Sequence, residues 1–293
     1  RIMENARETK KKTKKTSLFM ETWDRLTKNK LAMVGLFMLV VLVIVAIFGP
    51  LIAPYGYDDQ DPTKDLIAPC LAYPFGTDNF GRDILSRIIY GSRVSLMVGL
   101  VTVFVSMTLG CTIGAIAAFY KKCDNILMRF VDIIGGIPYL LLAIAIAAAL
   151  GSGLGNMMMA VGIANIPAYA RITRGSVLTV KEEEYIEAAR SIGLSNASII
   201  LRHIMPNALS PILVQATLGV ANSILTAACL SFMGLGIQPP SPEWGAMLSA
   251  GRVYIRDAWW MTVLPGICLM LVVYALNTLG DGLRDALDPR LKN

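Results

Sequence analysis

The sequence predicts an all-α, polytopic membrane protein with six transmembrane helices. Three observations carry this. Of the 293 residues, 55% are hydrophobic and 16% charged, with a mean hydropathy of +0.56; a soluble domain runs nearer a quarter charged. Several apolar runs exceed the roughly 18 residues that mark a membrane span. Lys and Arg are unevenly shared between the loops, which orients the spans.

The elements follow in order. Residues 1–30 form a basic tail. The first span, 31–52, reads "LAMVGLFMLVVLVIVAIFGPLI"; at 1.5 Å per residue it reaches roughly 33 Å, enough to cross. The apolar run is too long for the h-region of a signal peptide and has no A-x-A site behind it. Residues 53–93 form an outer loop. In "GTDNFGRDILSR", Thr77 or Asp78 can cap a short amphipathic helix. Asp78–Arg82 and Asp83–Arg87 are then i,i+4 pairs, each worth a few tenths of a kcal/mol. This helix needs no function to explain it.

A five-helix core follows over 94–280. Its spans run near 94–119 and 127–150, then from about Asn156, then near 211–236 and 261–280. Pro167 should break up the fourth. A loop over 171–207 separates the fourth from the fifth, and residues 281–293 form a C-terminal tail. "GCTIG", Gly110 to Gly114, is a GxxxG in the second span. It permits close helix approach within or between subunits, and it also fits a chance lipid-facing occurrence.

With six spans, both tails and the even loops fall on one side, which holds 21 Lys and Arg against 6 on the other. The positive-inside rule puts both termini and the 171–207 loop in the cytoplasm. Trp244, Trp259 and Trp260 then fall near the outer interface, where amphipathic rings settle. The net charge of +6 is topogenic, so no nucleic-acid partner is expected and the lipid bilayer is. Cys70, Cys111, Cys123, Cys229 and Cys268 show no C-x-x-C spacing and read as small hydrophobes. His203, the only histidine, excludes a multi-histidine metal site; no metal or catalytic triad is expected.

The stretch "EYIEAARSIGLSNASIILRHIMPN" is polar amid greasy spans. Tyr185, Ile186, Ala188, Ala189 and Ile192 recur at helical spacing and form one stripe. Gly193 stands where a helix ends in a left-handed residue. Ser195 is a good N-cap for a second helix, and Pro206 should stop it. The prediction is a hairpin: helix, glycine elbow, helix. Its apolar face either packs on the protein's own spans or meets a protein partner.

"EAARSIG" followed by "HIMP" resembles the EAA signature of ABC importer permeases. Glu187, Ala188, Ala189, Gly193 and Pro206 match; His203 and Met205 stand where that pattern has Ile and Leu. "FGTDNFGRDILSRIIYGSRVSL", "LSFMGLGIQPPSPEWGAML" and "LGDGLRDALDPRL" are similar to the C-type permease of dipeptide, oligopeptide and nickel importers. The matches run in order over most of the chain. The resemblance implies a type I ABC importer permease fold in a bacterial cytoplasmic membrane. It implies a coupling role for Glu187, Ala188, Ala189, Ile192, Gly193, Ser195 and Pro206. Implied partners are a second, B-type permease subunit, two ATP-binding subunits and an external substrate-binding protein. No GxxxxGK[ST] loop is present, so ATP and Mg are expected on the partners, with no cofactor or catalytic residue here.

Gln215, Asn222, Ser223 and Asn277 are candidates for a hydrated pathway, or for hydrogen bonds between helices. An ion-coupled secondary transporter is the competing reading. Such a protein keeps ionisable groups at mid-membrane, and the nearest, Asp132, lies close to the start of the third span. An intramembrane hydrolase would need a nucleophile and base, or two mid-span aspartates, and neither is apparent.

Overall fold

The computed structural model describes residues 18–287. The expected tail as far as residue 17, and the last six residues of the expected C-terminal tail, lie outside them. The described residues are almost wholly helical, with a single isolated β-bridge, Thr77 to Asp83. The helices are α1 Leu18–Leu26, α2 Lys30–Ile52, α3 Ile84–Phe119, α4 Lys121–Gly135, α5 Tyr139–Leu150, α6 Leu154–Lys181, α7 Glu184–Ser191, α8 Asn196–Phe232, α9 Trp244–Gly251 and α10 Trp260–Leu287.

Four of these, α2, α3, α8 and α10, are long and apolar enough to cross a membrane. α4 and α5 form a pair bent by 87°. The expected third span is therefore not one rod. Pro138 lacks an N–H and disfavours helix at Ile137, and glycines at 135 and 136 offer little resistance to the bend. α5 alone reaches roughly 18 Å, short of the hydrocarbon core. α6, 28 residues long, is not apolar enough to count among the candidate spans, which number four, or five with the bent pair; with it the described residues make six helical passages.

Pro167 does not break α6, which continues to Lys181. Flanking helices re-satisfy backbone groups that a proline frees. Here Pro167 is buried, and the Ser106 hydroxyl of α3 donates to the Gly162 carbonyl at 2.8 Å, one residue before the Ile163 carbonyl that the proline leaves without its helical N–H. This α3–α6 contact also settles the role of the GxxxG. A Cβ on Gly110 would sit 2.5 Å from the Tyr169 Cβ, and one on Gly114 would sit 3.0 Å from the Arg174 nitrogen. The glycines admit α6 to α3 within one chain; they do not face lipid.

Pro206 does not stop the second hairpin helix either. Residues 199–204 form a π turn, in which the Met205 N–H bonds to the Ile200 carbonyl. The wider turn carries the chain past Pro206 straight into the fifth span. The expected 171–207 loop is thus mostly helix: 171–181 end α6 and 196–207 begin α8.

At the opposite end of the bundle the short outer helix is missing. Asp83 caps α3 itself, accepting from the Ser86 N–H at 2.7 Å and its hydroxyl at 2.6 Å. Asp78 and Arg82 do pair, at 2.8 Å, but across a tight turn that ends before α3. Arg87 turns away from Asp83, lying 3.8 Å from Asp78 and donating to the Tyr57 carbonyl at 2.7 Å. Lys64 beside Asp61, with help from Thr63, holds the Asp61 carboxyl at about 2.

Two of the three tryptophans are core anchors, not interface rings. Trp244 donates to the Ile88 carbonyl at 3.1 Å and Trp260 to the Thr77 carbonyl at 3.0 Å. Both are buried, whereas Trp259 is half exposed. At the hairpin end, α1 occupies part of the expected tail; its Leu26 packs on Ala32 and Ala286.

Candidate coupling site

α7 begins after Glu183 and ends in a Schellman turn. The Gly193 N–H bonds to the Arg190 carbonyl at 3.0 Å, and the Leu194 N–H to the Ala189 carbonyl at 3.2 Å. Gly193 has φ +82°, the left-handed value a glycine elbow requires. Ser195 then caps α8, its hydroxyl accepting from the Ser198 N–H at 3.3 Å.

The apolar stripe divides. At 100° per residue its five members span about 160° of α7. Ile186 and Ala189 face inward. They join Ala115, Ala118 and Phe119 of α3, Val177 of α6, and Ile199, Ile204 and Ala208 of α8 in one buried cluster. Tyr185, Ala188 and Ile192 face outward, and Ile192 is 77% exposed. Leu194 and Leu201 extend this open surface. Of the seven residues singled out, Glu187, Ala188, Ile192, Gly193, Ser195 and Pro206 are exposed, and Ala189 is buried. The two readings of the face each hold for half of it.

Three residues that the sequence did not single out tie this hairpin to the spans. Lys181, the last residue of α6, donates to the carbonyls of Ala118 at 2.9 Å and Phe119 at 3.0 Å. These carbonyls end α3 and have no intrahelical N–H. The Lys181 ammonium and the Arg190 guanidinium of α7 each lie 5.4 Å from the Phe119 ring centroid. Nearby, Arg174 holds Asp124 through two bonds of 2.7 and 2.6 Å, and Arg171 meets Asp132 at 3.0 Å. Asp132 is thus an exposed ion-pair partner. Nothing in the sequence marks the approach of Phe119 to Lys181 and Arg190, which lie 62 and 71 residues away.

The four candidate pathway residues do not share one face. Asn222 and Asn277 are exposed, Gln215 is half-buried, and Ser223 is fully buried beside Tyr139. The Gln215 carbonyl accepts from the Tyr169 hydroxyl at 3.4 Å. At the other end of the bundle, Glu243 caps α9 from a buried position. Its carboxylate accepts from the Gly245 and Ala246 N–H groups, both at 2.8 Å. Burial nevertheless pushes this carboxyl above its ordinary range. Among the described residues no group of three His, Cys, Asp or Glu could hold a metal ion.

Comparison with known proteins bears on the whole chain. Residues 110–293 match the family described as binding-protein-dependent transport system inner membrane component. Residues 17–69 match the N-terminal TM domain of oligopeptide transport permease C. The dipeptide transport system permease protein DppC of Alkalihalophilus pseudofirmus is 47% identical over 94% of this chain and 91% of its own. The di/tripeptide permease DppC of Pseudomonas aeruginosa is 44% identical over 93% and 92%. The glutathione permease GsiD of Escherichia coli is 44% identical over 93% and 90%. Among solved structures, an inward-facing MetNI methionine ABC transporter aligns with a TM-score of 0.57 at 19% identity. It covers 69% of this chain and 97% of that one, a likeness of fold. A helical bundle with the hairpin between its fourth and fifth passages, matched in sequence over more than half its length, belongs to the family of binding-protein-dependent transport system inner membrane components.

Proposed function

We propose that this permease subunit moves di- or oligopeptides, delivered by an external binding protein, across a bacterial cytoplasmic membrane. The observation that carries the coupling half of this reading is the divided hairpin. Its inner half is welded to α3, α6 and α8, and its outer half leaves Tyr185, Ala188 and Ile192 exposed. Such a surface suits a protein cleft, and separate ATP-binding subunits would supply it. ATP and Mg belong to those subunits. The permease performs no covalent chemistry. ATP can shift its conformational equilibrium only through a contact that differs between states, and the hairpin is that contact.

A second permease subunit would complete the pathway, with Gln215, Asn222, Ser223 and Asn277 as candidate polar positions along it. The charge bias of the loops supports a cytoplasmic hairpin and cytoplasmic termini. Support for a peptide cargo comes from the relatives named for dipeptides and di- or tripeptides. The relative named for glutathione, itself a tripeptide, fits the same class.

The test is reconstitution of the complex in proteoliposomes with its binding protein. Labelled dialanine, trialanine, glutathione and nickel would be offered in parallel. ATP-dependent uptake of a peptide supports the reading. Uptake of nickel alone, or uptake driven by an ion gradient without ATP, would refute it.

A further inference from the structure

We propose that Phe119 is the joint through which α7 drives α3, with Lys181 and Arg190 as the positioning residues that grip it. This rests on the reading of α7 as the helix that an ATPase moves.

The geometry places one aromatic ring at the meeting point of three helices. Phe119 is the last residue of α3 and is buried. Arg190 comes from α7 and Lys181 from the end of α6, each cation 5.4 Å from the ring centroid. Tyr120 meets the ring edge-on at 5.1 Å. The ring face is electron-rich and attracts cations. Among the described residues no carboxylate lies within ion-pair distance of Arg190. The ring is therefore a principal partner of its charge.

The arrangement is tense in a useful way. Lys181 feels repulsion from Arg190 and Lys121, and attraction from Asp124 and Glu182. The attraction of each cation to the ring offsets their mutual repulsion. If α7 slides, Arg190 leaves the ring and that attraction is lost. Lys181 cannot simply follow, because it also holds the two terminal carbonyls of α3. Movement of α7 must then carry the end of α3 with it or pay in lost contacts.

α3 is suited to relay such a displacement. It is a single helix of 36 residues, roughly 54 Å long. Its far end touches Trp244 through the Ile88 carbonyl. A shift at Phe119 thus has a rigid route to the opposite face of the bundle. Spatial continuity alone is not evidence of coupling, so the ring chemistry must be tested directly.

The experiment uses the reconstituted complex and reads two rates in the same vesicles, ATP hydrolysis and dialanine uptake. Phe119→Leu keeps an apolar side chain and removes the π face; Phe119→Tyr keeps the face. The expected result is that Phe119→Leu lowers uptake per ATP hydrolysed about tenfold, with ATPase subunits still bound. Phe119→Tyr should restore most of it. Arg190→Gln should lower the ratio too, and combining it with Phe119→Leu should add little. Equal ratios for Leu and the native residue would overturn the proposal, as would a Tyr variant no better than Leu. If Phe119→Leu fails to accumulate, Arg190→Gln decides alone, because its side chain lies on the exposed side of α7. A normal ratio in that variant overturns the proposal. Ala188→Arg separates the two levels. If it leaves ATPase binding intact, the reading of α7 itself fails, whatever Phe119 does.

Discussion

Gly193 offers the sharpest perturbation, because the structure separates backbone strain from crowding there. A Cβ at this position would meet no heavy atom within 4 Å, yet φ is +82°. Any penalty within this chain is therefore conformational. Left-handed backbone costs an ordinary L-residue about 1–2 kcal/mol, and less for Asn; a β-branched residue sits at the upper end of about 1–3 kcal/mol. Two responses are open to the chain. It can peel the hairpin off the bundle, or it can distort the turn and keep both arms docked. Peeling exposes Ile186, Ile199 and Ile204, which are fully buried, at about 1.5–3 kcal/mol each. That exceeds the strain, so the arms stay and the turn gives way. Gly193→Val should then reach the membrane at normal level, retain its fold, and displace the elbow together with the exposed Ile192 beside it. At 1.4 kcal/mol per decade, the native elbow geometry falls in population by roughly five- to a hundredfold. The assay is peptide uptake in proteoliposomes with ATPase co-purification, over Gly193→Asn, Ala and Val. Expected order of activity is Asn above Ala above Val. Normal uptake by the Val variant would refute the reasoning. Equal loss in all three, Asn included, would mean that the partner cannot accept any side chain there and that φ is irrelevant.

Ser195→Cys in a cysteine-free background should react with a membrane-permeant thiol reagent and resist an impermeant one applied to intact cells or spheroplasts; the reverse would invert the topology. Gly110→Val should destabilise the α3–α6 contact by more than about 2 kcal/mol, since the added carbons meet Tyr169 and backbone; a thermal midpoint unchanged in detergent would contradict the packing. Deleting residues 2–15 should leave transport intact while Arg25, Lys28 and Lys30 keep the topology; loss of ATPase docking with insertion preserved would give the tail a role. Glu243→Ala should cost about 1–3 kcal/mol by orphaning two buried N–H groups. The native carboxyl is raised in the fold, so the stability it contributes is full below its unfolded value and is lost as pH rises through the folded one. The Glu243→Gln variant should flatten that part of the stability–pH curve, and an unchanged curve would show that Glu243 does not titrate in this range.

The spans were legible because apolar runs of that length have few other uses. α2 and α10 begin within a residue of where the sequence places them. The failures share a cause. Hydropathy alone hides the glycines and proline at 135–138, because Ile133 and Ile134 before them and the wholly apolar α5 after them read as one run. Proline rules calibrated on isolated helices mispredict Pro167 and Pro206. In a bundle, Ser106 reaches the backbone near one, and a π turn accommodates the other. The GxxxG could not be assigned to a partner helix, since spacing states only that something comes close.

The coupling hairpin shows where a sequence stops being informative. Period 3.6 gave the stripe on α7, and the stripe is real. It is too wide for one partner, and period cannot say where a stripe divides. The division follows from what α3, α6 and α8 present beneath it. Ala115 and Ala118 are small enough to admit Ile186 and Ala189, which turns those two inward. Tyr185, Ala188 and Ile192 are then left outside by rotation about the same axis. A residue conserving the stripe's hydrophobicity is therefore not equivalent across it. Ala189→Leu should strain the inner cluster, because added methylenes in a filled core cost about 1–3 kcal/mol. Ala188→Leu adds the same atoms to an open face and should leave folding untouched. Both variants would be purified and their thermal midpoints compared. A lower midpoint for Ala189→Leu alone supports the division, and equal midpoints would mean that α7 is not seated as the structure has it.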